Sequence, residues 1–202
     1  MRFLIKLFFV SIIIFSSSVK AELPQEAPIQ KDFYQYANNE SEYSIALPEA
    51  PSVKTLWADK DKIPYLDHPP VKGAVGETAI FKRVDLETNE IFDTEIIFIK
   101  AEKEFLNSLT KEKATKLLEA DLKGIPLDNK SIDHVIGGKK ELRRTSLTGF
   151  SVDRSNKPFY YAEHLLTGEQ SILVIKVQYS IENKKFGEYY KNIIENINYL
   201  SL

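Results

Sequence analysis

The sequence predicts an α+β protein: a mostly antiparallel sheet with helices packed on it, closed by an amphipathic helix at the C-terminus. Three observations carry this expectation. Six stretches rich in β-branched and aromatic residues follow Gly76, and neighbouring stretches are parted by short polar or glycine-containing turns. One of them contains Ile96-Ile97-Phe98-Ile99, apolar at successive positions, so both of its faces must be covered. Near the end, Phe186, Tyr190, Ile193, Ile197 and Leu200 recur at spacings that place them on one helical face.

Taken in order, residues 1–21 read as a secretory signal peptide. Arg2 and Lys6 precede the apolar run Leu7–Phe15, and a small-residue tail ends at Ala21. The run is too short to span a bilayer, for which about 20 apolar residues are needed. The expected destination is therefore export, to the periplasm or beyond, with no membrane anchor after cleavage. Residues 22–40 read as a flexible, proline-containing extension and 41–202 as a single domain. Seven of the nine prolines fall between 22 and 70, a density that prevents long helices and central strands. Within that region Tyr43–Leu47 alternates and stops at Pro48, the mark of a short strand. Leu56-Trp57 and Ile63-Pro64-Tyr65-Leu66 read as extended segments that lay apolar side chains on a core. Gly73-Ala74-Val75-Gly76-Glu77 reads as a turn.

Thr78–Asp85 and Ile91–Ala101 form an expected hairpin around Glu87-Thr88-Asn89-Glu90. Glu102–Leu109 reads as a short helix with Phe105, Leu106 and Leu109 inward. A second helix starts at Thr110 as N-cap, aligns Ala114, Leu117, Leu118 and Leu122, and closes at Gly124 before Pro126. Ser131–Ile136 and Glu141–Val152 flank Gly137-Gly138, and Phe159–Leu166 and Ile172–Ser180 flank Thr167-Gly168-Glu169-Gln170, giving two more hairpins.

The strand Tyr43–Pro48 ending in Leu-Pro, the later Trp57, the segment Ser171–Val177 and the helix bearing Ile193-Ile194-Glu195-Asn196-Ile197 together resemble the Mog1/PsbP-like α/β/α sandwich, including small exported bacterial proteins of the DcrB type. The resemblance covers roughly 40–200 and lies in element order and apolar pattern. It implies accessory roles, such as assembly or partner binding in the envelope, and carries no site residues with it.

Composition excludes several functions. The 202 residues contain no cysteine, which removes disulfides, thiolate metal sites, Cys nucleophiles and lipidation at a cysteine. Without Arg2, Lys6 and Lys20 the chain has 24 basic and 29 acidic residues, a net charge of −5 that opposes nucleic acid and anionic lipid. Of the 27 basic residues of the full sequence only five are Arg, the side chain that grips phosphate bidentately. His68, His134 and His164 stand at no metal-ligand spacing, and Glu163-His164 on a strand point to opposite faces. No Gly-x-Ser-x-Gly elbow occurs, although a dispersed triad can assemble in space. No cofactor is implied.

Two surfaces stand out as binding candidates. Lys139, Lys140, Arg143 and Arg144 beside Gly137-Gly138 form a basic patch suited to a phosphate or an acidic partner loop, against which stands a plain solvated hairpin tip or pairing with the acidic 22–70 region. Trp57, Tyr65 and Tyr160 are candidates for an aromatic groove, against which stands ordinary core packing. The leading expectation is a non-catalytic accessory module that binds a protein partner in the bacterial envelope. Behind it stand a small-molecule or lipid binder, and a hydrolase with an unrecognised triad built on His134 or His164.

Overall fold

The computed structural model describes residues 33–38, 41–58, 73–122, 125–137 and 142–199. The signal segment, Tyr65, His68, the Ile63–Leu66 segment, Gly124, Gly138 and Leu200 lie outside them. Strands β1 (Tyr34–Ala37), β2 (Tyr43–Leu47) and β10 (Asn198–Tyr199) form a small sheet in the order β1-β2-β10. The large sheet joins β3 (Val53–Trp57), β4 (Val75–Val84), β5 (Ile91–Lys100), β6 (Asp128–Gly137), β7 (Leu142–Val152), β8 (Pro158–Thr167) and β9 (Ser171–Ser180). Its order is β3-β4-β5-β9-β8-β7-β6. Every strand pairing is antiparallel. With helices α1 (Lys103–Ser108), α2 (Lys111–Asp121) and α3 (Lys184–Glu195), this is the α+β architecture that the apolar pattern demands.

The large sheet is covered on both faces, as the Ile96–Ile99 run requires. Ile97 and Ile99 pack with Leu106, Leu109, Ala114 and Leu118 of the α1–α2 segment. Ile96 and Phe98 pack the other way, with Phe186 and Ile193 of α3 and Tyr43, Ile45 and Leu47 of the small sheet. Helix α2 begins where expected, its Thr110 hydroxyl accepting from the Lys113 N–H at 3.4 Å. Thr110→Ala should therefore cost about 1 kcal/mol of unfolding free energy in a urea titration.

Four expectations are corrected. The stretch 22–40 is not all extension: Tyr34–Ala37 is a strand paired with β2, and Tyr36 is buried against Phe98. Leu56 does not reach the core. It is 75% exposed, because β3 is an edge strand on which Trp57 takes the inward position and its neighbour must face out. In Gly73–Glu77 only Gly73, at φ 77°, turns; Val75, Gly76 and Glu77 already belong to β4. Gly76 is needed there because a Cβ would strike the Phe98 carbonyl oxygen and the Trp57 ring.

Lastly, the C-terminal helix stops at Glu195. Asn196 and Asn198 turn their side-chain amides onto the carbonyls of Asn192 and Asn196, and the chain then pairs with β2 as β10. Ile197 stays buried because that turn carries it inward.

Candidate functional site: a half-covered sheet face

Strand register lines up one residue from each strand into rows across the sheet. On the α1–α2 face one row reads Thr78, Ile97, Val174, Leu165 and Thr145, and it lies among the apolar residues under the helices. The next row reads Ile80, Glu95, Lys176, Glu163 and Leu147. An acid, a base and an acid thus sit side by side on three adjacent central strands. Helix α2 ends above this row, and its last residue, Asp121, meets the Lys176 ammonium at 2.9 Å; Glu95 meets it at 3.3 Å. Past the row no described element covers the face.

Glu163 is fully buried. The Tyr161 hydroxyl donates to its Oε2 at 2.9 Å, while Oε1 is buried without a partner. Burial pushes this carboxyl up to about 8, with the Lys176 charge opposing the shift. Burial works to lower Lys176, but the bond to Asp121 and the surrounding carboxylates outweigh it and hold the amine above its ordinary value. Lys176 is consequently a cation rather than a nucleophile at neutral pH.

The open half of the face is a recess of about 470 Å³ whose walls include Ile80, Lys82, Glu95, Asp121, Tyr161 and Gln178. A second recess of about 270 Å³ continues it toward the strand ends, reaching Ile91, Asp153, Lys157 and Phe159, and the two share Lys82, Asp93 and Gln178. Lys82 pairs with Asp93 at 3.5 Å. Charged groups in the recess are thus largely matched with each other, and exposed Val84 and Ile91, opposite one another on β4 and β5, supply an apolar border.

The structure does not gather the basic patch into one surface. Arg143 and Arg144 face opposite sides of β7, while Lys139 and Lys140 lie outside the described residues. Arg143 donates at 3.3 Å to the Leu106 and Leu109 carbonyls, satisfying the end of α1. Arg144 lies toward α3, close enough to His164 and Tyr190 for its charge to bear on both, with its Nε buried and unpartnered.

The two described groove aromatics also part company. Trp57 is on the α1–α2 face, and Tyr160 is on the α3 face in the row Phe92, Tyr179, Tyr160 and Phe150. Tyr160 packs there edge-to-face with Phe150 and Tyr190 and at a tilt against Tyr179, so it anchors α3 rather than lining a groove.

Both described histidines are held by hydroxyls. His164 Nδ1 lies 2.8 Å from Ser146 Oγ and its Nε2 3.1 Å from Tyr190 Oη. Burial, with the Arg144 charge, pushes this imidazole down to about 3. His134 bridges Thr145 and Thr115 at 3.1 and 3.3 Å, and burial lowers it as well. Ser146–His164 is the contact a hydrolase would use, but the second ring nitrogen meets a phenol instead of a carboxylate, and neither recess reaches it. Among the described residues no group of three or more His, Cys, Asp or Glu is placed to hold a metal ion, and no helix is long and apolar enough to cross a membrane.

The residues that sequence reasoning missed are Glu95, Glu163 and Lys176. Their signal was available: Glu163 and Lys176 are charged residues inside otherwise apolar strands, Ala162–Leu166 and Ile172–Val177.

Fold and site together define an α+β protein with a polar, half-covered sheet face. No family model matches the chain, and no curated protein matches it. Among solved structures it is similar to the crystal structure of LpqN, involved in cell envelope biogenesis of Mycobacterium tuberculosis. The two share 12% identity over 82% of this chain and 89% of that chain, with a TM-score of 0.39. A likeness this distant defines neither a family nor a site.

Proposed function

We propose that this chain is an exported, non-catalytic accessory module of the bacterial cell envelope, of the DcrB type its element order resembles, which binds a protein partner through the open half of its large sheet. The observation that carries the reading is the recess beyond Lys176: α2 stops at Asp121, and no described element covers the strands beyond it, where paired charges lie beside exposed Val84 and Ile91. A non-obligate protein interface is, taken as a whole, about as polar as the rest of a protein surface, and this mixture falls in that range. The signal-peptide pattern of residues 1–21 supports the location, and the acidic balance disfavours nucleic acid. The low basicity of buried His164 supports the non-catalytic part of the reading.

The test is site-specific photocrosslinking in the native envelope. A crosslinker at Gln178 in the recess should capture one defined protein, and a crosslinker at Lys191, exposed on α3, should not. Equal capture at both positions, or none at Gln178, would end the proposal.

A further inference from the structure

We infer that Glu163 and Lys176 form a proton-operated clasp on the end of α2: while Glu163 carries its proton, Lys176 holds Asp121 and keeps the last turn of the helix on the sheet, and when Glu163 loses it, Lys176 is drawn to Glu163 and the helix end is released. The inference does not depend on what the recess binds.

The geometry behind it is a competition for one ammonium group. Lys176 faces Glu163 across the β8–β9 pairing, Glu95 across the β5–β9 pairing, and Asp121 from above. Glu95 and Asp121 already surround it at salt-bridge distance. Glu163 makes one hydrogen bond, from Tyr161, and its other oxygen is buried with none. A neutral carboxyl can remain in that position at modest cost, whereas an anion with an empty oxygen cannot, because an unpaired buried charge costs several kcal/mol.

The other groups around Glu163 offer no relief. On β7 its neighbour is Leu147, on β6 the row ends at Ile132, and on its own strand stands Tyr161, whose hydroxyl is shared between Glu163 and Asp121 and moves with the end of α2. On α2, Glu119 is bound to Lys130 of β6, and the first turn, with Lys111 and Glu112, lies by His134. Among the described residues Lys176 is the cation placed to answer the new charge. Of the two carboxylates at salt-bridge distance, Asp121 is the freer to move, since it ends a helix, whereas Glu95 is fixed in a central strand. Burial holds Glu163 in its neutral form up to about pH 8, so the change falls just above neutrality. Asp121 also walls the recess, so its release would widen the opening.

The experiment is carbon-detected NMR of the full chain between pH 5.5 and 9.5. The Glu163 carboxyl carbon should titrate near pH 8, and the methyl groups of Leu118 and Leu122 on α2 should shift with the same midpoint, while those of Ile193 on α3 stay still. In Glu163→Gln the α2 shifts should disappear. In Asp121→Asn, a change at an exposed helix end that leaves the core intact, the midpoint should move down by about one pH unit, because the rival for Lys176 has lost its charge. A Glu163 midpoint below 6, α2 shifts that persist in Glu163→Gln, or an unmoved midpoint in Asp121→Asn would each overturn the clasp.

Discussion

Glu42→Ala should lower the unfolding free energy by about 4 kcal/mol, a large fraction of what a domain of this size possesses. Glu42 is buried where three parts of the chain meet. Its Oε2 accepts from the Gln170 N–H at 2.8 Å, the Ser171 N–H at 2.9 Å and the Ser171 hydroxyl at 3.0 Å, and its Oε1 accepts from the Tyr199 hydroxyl. One carboxylate thus fastens the residue leading into β2 to the β8–β9 turn of the large sheet and to β10. Removing it strands two backbone donors and two hydroxyls at once, and each buried donor left unmet costs about 1–3 kcal/mol.

Tyr199→Phe removes a single charge-assisted bond and should cost about 2 kcal/mol. The turn admits no enlargement either, since a Cβ on Gly168 would come within 2.5 Å of Glu42 Oε2. Equilibrium urea unfolding of the two variants checks the order. A Glu42→Ala loss below 1 kcal/mol would mean that water reaches the site and that the small sheet is held by its apolar side chains alone.

This fastening was invisible in the sequence, and the reason is general. Patterns of period 2 and 3.6 report which face of an element is buried, and they placed the β4–β5 and β8–β9 hairpins, the Thr110 cap and the Phe186–Ile193 stripe correctly. They do not report register between strands distant in sequence. Residues 95, 163 and 176 become neighbours only when β5, β9 and β8 are aligned, and Glu42 meets Ser171 across 129 positions. Strands β1 and β10, four and two residues long, exist because β2 lies between them, and short segments formed by such pairing carry little local signal.

The basic patch illustrates the same limit. Alternation along β7 already sent Arg143 and Arg144 to opposite faces, but the carbonyls that occupy Arg143 belong to α1, more than 30 residues upstream. Residue type makes Trp57 and Tyr160 look alike, but what separates them is the side of the sheet each one faces.

The pH profile of stability should show a plateau with two limbs, each led by one of the adjacent residues Glu163 and His164. Glu163 titrates near 8 when folded and near 4.5 when unfolded, so the folded chain keeps a proton that the unfolded chain releases. That contribution is complete below about pH 4.5 and is lost as pH rises through about 8. His164 titrates near 3 when folded and near 6.5 when unfolded, so its contribution is complete above about pH 6.5 and is lost as pH falls through about 3.

Each group supplies a slope of about 1.4 kcal/mol per pH unit within its own window. Between 4.5 and 6.5 the two slopes have opposite sign and cancel. From 6.5 to 8 only Glu163 of the two acts, and stability should fall by about 2 kcal/mol. The acid limb is shared: Asp85, held below the usual carboxylate range by the Glu87 and Thr88 N–H groups, and Glu90, held down by Ser180, add to it at low pH. The alkaline limb is led by Glu163, and Glu77, which burial also holds above its ordinary value, adds to the fall on its lower side. Urea midpoints at half-unit pH intervals should therefore show the fall above 6.5 in the native chain and its absence in Glu163→Gln, with the acid limb kept. His164→Gln should do the reverse, shortening the acid limb and leaving the alkaline one. A native profile that stays level from 6.5 to 8 would place water at Glu163, and the carboxyl would then be an ordinary surface group.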